Sequence, residues 1–314
     1  TFKASLKKNA PLYGIWAGFA TGYAAEIVAS TGYDWMLIDG EHAPNTVPGV
    51  LAQLQAVAPY ATAPIVRAVN GDASLIKQLL DIGAQTDTVA AVTLTSGAIT
   101  GSTGILTGTS YAVASGTISA ILAGAVTLAK TTAGTVTLSG VNTYSGVTTI
   151  SGGVLSVGTI GNGGVAGNLG AAPAAASNIV SNTGTGTLQY TGTTSSTDRS
   201  ITTTAAITLN LDITNPAAAL TISGTTTVTT APFTKVGPGT LILSGTNGHT
   251  GLTTVLAGTL KEGVASALST GALTVTNGTF DLNNFSDSVG TTTLTNGGQM
   301  IDSGGTTAVL TSTA

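Results

Sequence analysis

A chain of 314 residues in which only 7% are charged and 4% aromatic, with 43 glycines, departs from the ordinary globular mixture, where about a quarter of residues carry charge. The net charge of −4, with no cluster of Lys or Arg, argues against a nucleic-acid partner, and the lack of cysteine excludes disulfides and thiolate metal sites. No uninterrupted apolar run reaches the roughly 18 residues of a membrane-spanning helix.

The residues are unevenly spread. Before residue 87 lie both tryptophans, Trp16 and Trp35; beyond it the only cations are Lys130, Arg199, Lys235 and Lys261. That step predicts two units, 1–86 and 87–314. At the start, Lys3, Lys7 and Lys8 precede an apolar stretch over 10–25 and imitate a secretion signal. Pro11, Tyr13 and Tyr23 interrupt its apolar core, and the same residues read better as the first elements of a fold.

Residues 12–19 are apolar and aromatic, 23–30 have helical spacing, and 34–39 (DWMLID) form a buried-strand run. The order repeats with a helix over 47–58, a strand over 64–69 (PIVRAV) and a helix over 72–82 capped by Asp72 or Gly71. Continuously apolar strands alternating with helices predict a parallel sheet covered on both faces. Chemistry in such folds sits beyond the C-terminal ends of strands, which directs attention to the loop DGEHAPN, with His42, and to Arg67. On the residues alone, His42 flanked by Asp39 and Glu41 also reads as a surface residue, and Arg67 as an ion-pair partner.

The segment LIDGEHAPN, followed in order by VLAQLQAVAPY, PIVRAV and LIKQLLDIGAQT, resembles the HpcH/HpaI family of class II pyruvate aldolases over residues 1–86. The resemblance implies the opening part of a TIM-like barrel, with His42 as general base, Arg67 as the ligand of pyruvyl or enolate oxygens, and Asp81 as the residue that orients the histidine. It also implies a divalent metal, Mg, Mn or Co, held by a glutamate and an aspartate on later strands. The family pattern stops after Gln85-Thr86, so those strands are absent and the three residues are expected to be vestigial, with no cofactor bound. Glu262 and Asp287 do not stand in the family's metal-site context.

From residue 89 the chain alternates short β-branched or Leu runs with Gly, Asn and Ser turns, as in AVTLTSG and GALTVTNG. Residues 130–158 align with 235–263 without a gap, sharing Lys130/Lys235, Gly134/Gly239, Asn142/Asn247 and Gly153/Gly258. This pattern, GTxTLSGxNxYxGxTTIxxGxL, resembles the autotransporter-associated β-strand repeat of bacterial passenger regions, which implies a right-handed parallel β-helix over 87–314. Alternation places Val136, Leu138, Ile150, Leu155, Leu241, Leu243, Val255 and Leu260 inward, with threonine ladders outside. His249, standing where the first copy has Tyr144, reads as a variable turn residue, and 161–170 (GNGGVAGNLG) as a loop without phosphate-binding spacing.

The expected architecture is therefore mainly β, a solenoid preceded by a truncated α/β fragment that is marginally stable, self-associates or docks on the first coil. The expected function is structural or surface-interacting, toward a surface ligand not identified by the sequence, with a metal-dependent aldolase as the alternative. The abrupt junction points to a chimera. Repeat resemblance places the chain at the cell surface or outer membrane; the lack of a convincing signal, and of a membrane barrel before the tail LTSTA, places it in the cytoplasm and predicts that it does not export itself.

Overall fold

The structure, a computed structural model, describes residues 11–81, 86–88, 90–101, 104–174, 177–203, 207–226, 230–248, 250–268, 270–305 and 307–313. Three strand–helix units open it. Strands β1 (Gly14–Ala17), β2 (Trp35–Asp39) and β3 (Ala63–Arg67) form a parallel sheet in that order, each followed by a helix: α1 (Gly22–Ala29), α2 (Val47–Val57) and α3 (Ala73–Asp81). Thr46 caps α2 by accepting the amide of Gly49 at 3.3 Å, and Asp72 starts α3 by accepting that of Leu75 at 2.9 Å. Pro64, which cannot donate to a ladder, is tolerated because β3 is the outer strand of this sheet.

A closed barrel would next pair a fourth strand with β3. Instead the segment Thr86–Thr88 pairs in parallel with Ile105–Thr107, and the chain passes into a three-faced parallel solenoid. One face carries six strands from Ala91–Leu94 to Ser200–Thr203, and continues through single bridges at Thr226 and Asn247 to the pair Asp287–Val289 and Leu310–Ser312. The second is an unbroken ten-stranded sheet from Ala98–Ile99 to Thr292–Thr295. The third comprises three strands ending at Ile121–Ala123 and six more from Ser195–Thr197 to Gln299–Ile301.

Register fixes the core. On the ten-stranded face one column runs Gly116, Val136, Leu155, Leu188, Leu211, Lys235, Val255, Val275, Leu294. Its neighbour is largely threonine: Thr187, Asn210, Thr234, Thr254, Thr274, Thr293. The eight positions read as inward from alternation are all buried. A coil alone leaves its apolar side wet, whereas stacking joins all of them into one cluster that extends from Ala17 in β1 to Val289.

The two sequence repeats do not occupy the same faces. In the first, Leu128–Lys130 and Thr135–Leu138 lie on the first and second faces; in the second, the equivalent Phe233–Val236 and Thr240–Leu243 lie on the second and third. What is preserved is the corner between the two strands. Lys130 and Lys235 are both fully buried, and each turns its ammonium into that corner: Lys130 Nζ donates to the carbonyls of Thr132 and Gly152, Lys235 Nζ to those of Val236 (2.8 Å), Gly237 (2.8 Å) and Ala257 (3.1 Å). Corner carbonyls lack ladder partners, and a cation with three donors satisfies them from inside. Gly153 and Gly258 complete the corner with φ of +61° and +63°, where a Cβ would meet the Gly134 or Gly239 carbonyl oxygen at 2.3 or 2.4 Å.

Tyr144 is fully buried, its hydroxyl 2.8 Å from Thr148 Oγ1 and its ring 6.2 Å from that of Tyr111. The equivalent His249 lies outside the described residues.

Candidate functional site

At the C-terminal ends of β2 and β3 the backbone itself brings the sequence-predicted residues together. The amide of Gly40 donates to the Arg67 carbonyl at 2.9 Å, and a Cβ at Gly40 would lie 2.6 Å from that oxygen, so the loop after β2 folds over β3 only with glycine there. Asp39, buried at the end of β2, organises the rest. Its Oδ1 accepts the amides of Glu41 (2.9 Å) and His42 (3.1 Å) and Arg67 Nε (2.9 Å), while Oδ2 takes an Arg67 terminal nitrogen at 2.5 Å. The Arg67 guanidinium, with those amides, holds the Asp39 carboxyl down at about 2 against the opposing pull of burial.

Arg67 is fully engaged. Besides Asp39 it reaches Glu41 at 3.1 Å, lies 2.8 Å from His42 Nδ1 and stacks 4.7 Å from the centroid of Trp16. Since guanidinium can only donate, the short contact makes Nδ1 of His42 the acceptor and places the ring proton on Nε2, which faces solvent and Glu41. Below the loop, Asn45 Nδ2 donates to the Asp39 carbonyl at 2.8 Å and receives Gln53 Nε2 on its Oδ1 at 2.6 Å. The backbone of Asp81 ends α3; its side chain lies outside what is described, so its assigned role of orienting His42 has no geometry here. The carboxylates that the structure does place here are Asp39, on Arg67 and on the backbone amide of His42, and Glu41, 3.1 Å from Arg67 and 3.7 Å from His42 Nε2; both stand in the DGEH loop.

The arrangement is a closed charge cluster, one guanidinium shared by two carboxylates and an imidazole. An incoming carboxylate or enolate would have to displace Glu41 or His42 from Arg67. Among the described residues no group of three His, Asp or Glu side chains could hold a metal ion, and here Asp39 and Glu41 spend their oxygens on Arg67. The described residues therefore do not fit the divalent metal implied by resemblance.

Among the buried ionisable side chains of the solenoid, Arg199 and Glu262 have roles that the sequence reading did not give them. Arg199 is fully buried, and its guanidinium gathers the carbonyls of Gly161 (2.8 Å), Asn162 (3.3 Å), Val165 (3.3 Å), Leu169 (3.3 Å) and Gly170 (2.7 Å) together with Asn178 Oδ1 (2.7 Å). The loop over 161–170 is thus ordered around one side chain distant in sequence. Glu262 is 1% exposed, and neither carboxyl oxygen finds a donor. It lies beside Asp287, whose oxygens accept the amides of Leu268 and Ser288. Two carboxylates cannot bond to each other; a protonated Glu262 supplies the donor, and burial first, then Asp287, push its pKa up to about 10.

The sequence profile of the HpcH/HpaI aldolase/citrate lyase family matches residues 12–99, and that of the passenger-associated-transport-repeat matches 128–157 and 233–261. A hydroxypyruvate/pyruvate aldolase of Delftia acidovorans is 75% identical over 91 residues, 29% of this chain and 34% of that protein. A 2-keto-3-deoxy-L-rhamnonate aldolase of Escherichia coli is 60% identical over 85 residues, 27% of this chain and 32% of the other. The chain thus spans about a third of the length of the curated relatives it matches. The crystal structure of an HpcH/HpaI aldolase/citrate lyase family protein from Burkholderia cenocepacia aligns over 28% of this chain and 36% of its own, at 40% identity and a TM-score of 0.27, too low to carry an argument. The aldolase match runs to residue 99, into strands that pair with solenoid coils rather than with β3.

Proposed function

We propose that the chain is a structural or surface-interacting β-solenoid of the passenger type, residues 87–314, joined to an aldolase fragment, residues 1–86, that no longer catalyses. The observation that carries this reading is the pairing of Thr86–Thr88 with Ile105–Thr107, which commits the position of a fourth barrel strand to the solenoid. Catalysis of the aldolase kind needs a carbonyl polarised and an enolate held, and here the guanidinium that would hold it is closed by Asp39 and Glu41. His42, Arg67 and Asp81 are then remnants of a catalytic set. The passenger-type repeats favour exposure at a cell surface, with a ligand or a second copy as partner.

The test is pyruvate release from a 4-hydroxy-2-oxo acid by the purified chain, supplemented in turn with Mg, Mn and Co. No turnover above buffer is expected. Metal-stimulated turnover abolished by His42→Ala would overturn the reading and establish the alternative, a pyruvate aldolase cleaving such acids to pyruvate and an aldehyde. The specific observation favouring that alternative is that the structure brings His42 Nδ1 to 2.8 Å of Arg67 at the strand ends, leaving Nε2 outward.

A further inference from the structure

Helix α3 packs away from the sheet whose last strand it follows. Among the described residues it lies against Ala91–Leu94 and Ala98–Ile99 of the first coil more than against any strand of its own sheet, while β3 lies beside Thr86–Thr88. Each of those three solenoid segments is the outermost strand of its sheet. Asp72 ties the two parts together: its backbone forms a parallel bridge to Thr93, its Oδ1 starts α3 at the Leu75 amide, and its own amide donates to Asn70 Oδ1 at 2.9 Å. Gly71 comes so close that a Cβ there would lie 2.1 Å from the Ala91 carbonyl oxygen. Ile76 and Leu79, three apart on one face of α3, are buried in the same cluster as Val92, Leu94 and Ile99. The first coil is thereby covered as completely as an interior one: Val92 is 1% exposed and Leu94 and Ile99 are 0%, like Val136 and Leu155.

A stack of coils shares one core, and its first coil stays wet on one side unless another element covers it. Uncovered, it would present three strand edges around an apolar layer, the kind of surface on which sheets associate. We propose that residues 11–81 serve as the end plate of the solenoid, a function independent of any chemistry at their charge cluster. Helix α3 takes the place of a preceding coil, and Ile76 and Leu79 supply the apolar contacts that inward strand residues supply elsewhere. The charge cluster then has a mechanical part in the plate. Asp39 and the Gly40 amide fix Arg67 at the end of β3, from which residues 68–70 lead directly to Gly71 and the contact with Ala91.

The experiment is hydrogen exchange read by mass spectrometry on the full chain, comparing amides over 90–99 with those of the interior strands Gly186–Tyr190 and Leu209–Ile213. In the wild type, exchange over 90–99 is expected to lie within about tenfold of the interior strands. Gly71→Val pushes the plate off the Ala91 carbonyl, and Ile76→Asp sets a charge against the coil. Each is expected to speed exchange over 90–99 at least about 100-fold and to leave the interior strands unchanged. Should Ile76→Asp unfold residues 11–81, Gly71→Val with protection retained over Val47–Val57 shows the effect of displacement alone. Free exchange over 90–99 in the wild type would overturn the proposal, because nothing would then cover the coil. So would variants in which 90–99 keeps its protection, since the coil would then hold itself closed. Equal acceleration in every coil would overturn it too, making residues 11–81 part of one overall stability and not a plate on its end.

Discussion

Glu262 and Lys235 give the solenoid a pH dependence that its composition hides. For Glu262 the folded-state pKa, about 10, lies above the ordinary 4.5, so its stabilising contribution is complete below about pH 4.5 and is lost as pH rises toward 10. Lys235 works the other way, because burial lowers it to about 8 from 10.5. The cost of keeping it charged is present below pH 8 and is relieved between 8 and 10.5. Between pH 5 and 8 only the first of these acts, and the melting temperature should fall there by at least about 2 °C, the shift that about 1 kcal/mol makes in a domain of this size. Glu262→Gln, which can donate to Asp287 without a proton, should flatten that slope in thermal melts; an unchanged slope would mean that Glu262 is not protonated in the fold. The sequence showed Lys235 only as a shared repeat position and Glu262 only as a residue without metal-site context, so neither role was legible there. Lys130 and Lys235 stand at the head of both aligned copies, a signal that only becomes legible once the corner carbonyls they satisfy are known.

At the scale of elements, strands were easier to read than corners, because alternation declares which residues point inward while a loop declares only that it turns. Residues 161–170 read as a plain glycine-rich loop, yet Arg199, far along the chain, binds five of its carbonyls. Arg199→Ala should take the donors from those carbonyls, of which Leu169 and Gly170 are buried, and cost at least about 3 kcal/mol, with protease cutting appearing first within 161–170. Wild-type resistance in the variant would show that the loop is held by other contacts. The βα units were legible to within a few residues because apolar runs and helical spacing agree, and Asp72 caps α3 as one of the two residues proposed from sequence. For Arg67 the sequence left two readings open, ion-pair partner and ligand of an enolate, since a salt bridge and an anion site draw on the same residue types, and only the distances to Asp39 and Glu41 separate them.

For the molecule as a whole, one buried cluster runs from β1 into the final coils, so the α/β fragment and the solenoid are expected to melt together. Gly71→Ala tests that coupling where the two meet, by pushing a methyl group into the Ala91 carbonyl. A loss of about 1–3 kcal/mol is expected, with helix signal lost before strand signal; coincident loss at unchanged temperature would show that the contact does not bind the parts together. The rotation of the second repeat by one face bears on recognition at a distance. Equivalent outward residues of the two copies look in different directions around the prism, so a flat partner that engages one copy cannot engage the other by the same contacts. Two copies in one chain therefore bring no gain in avidity toward a plane, and would bring it only toward a partner that wraps around the axis.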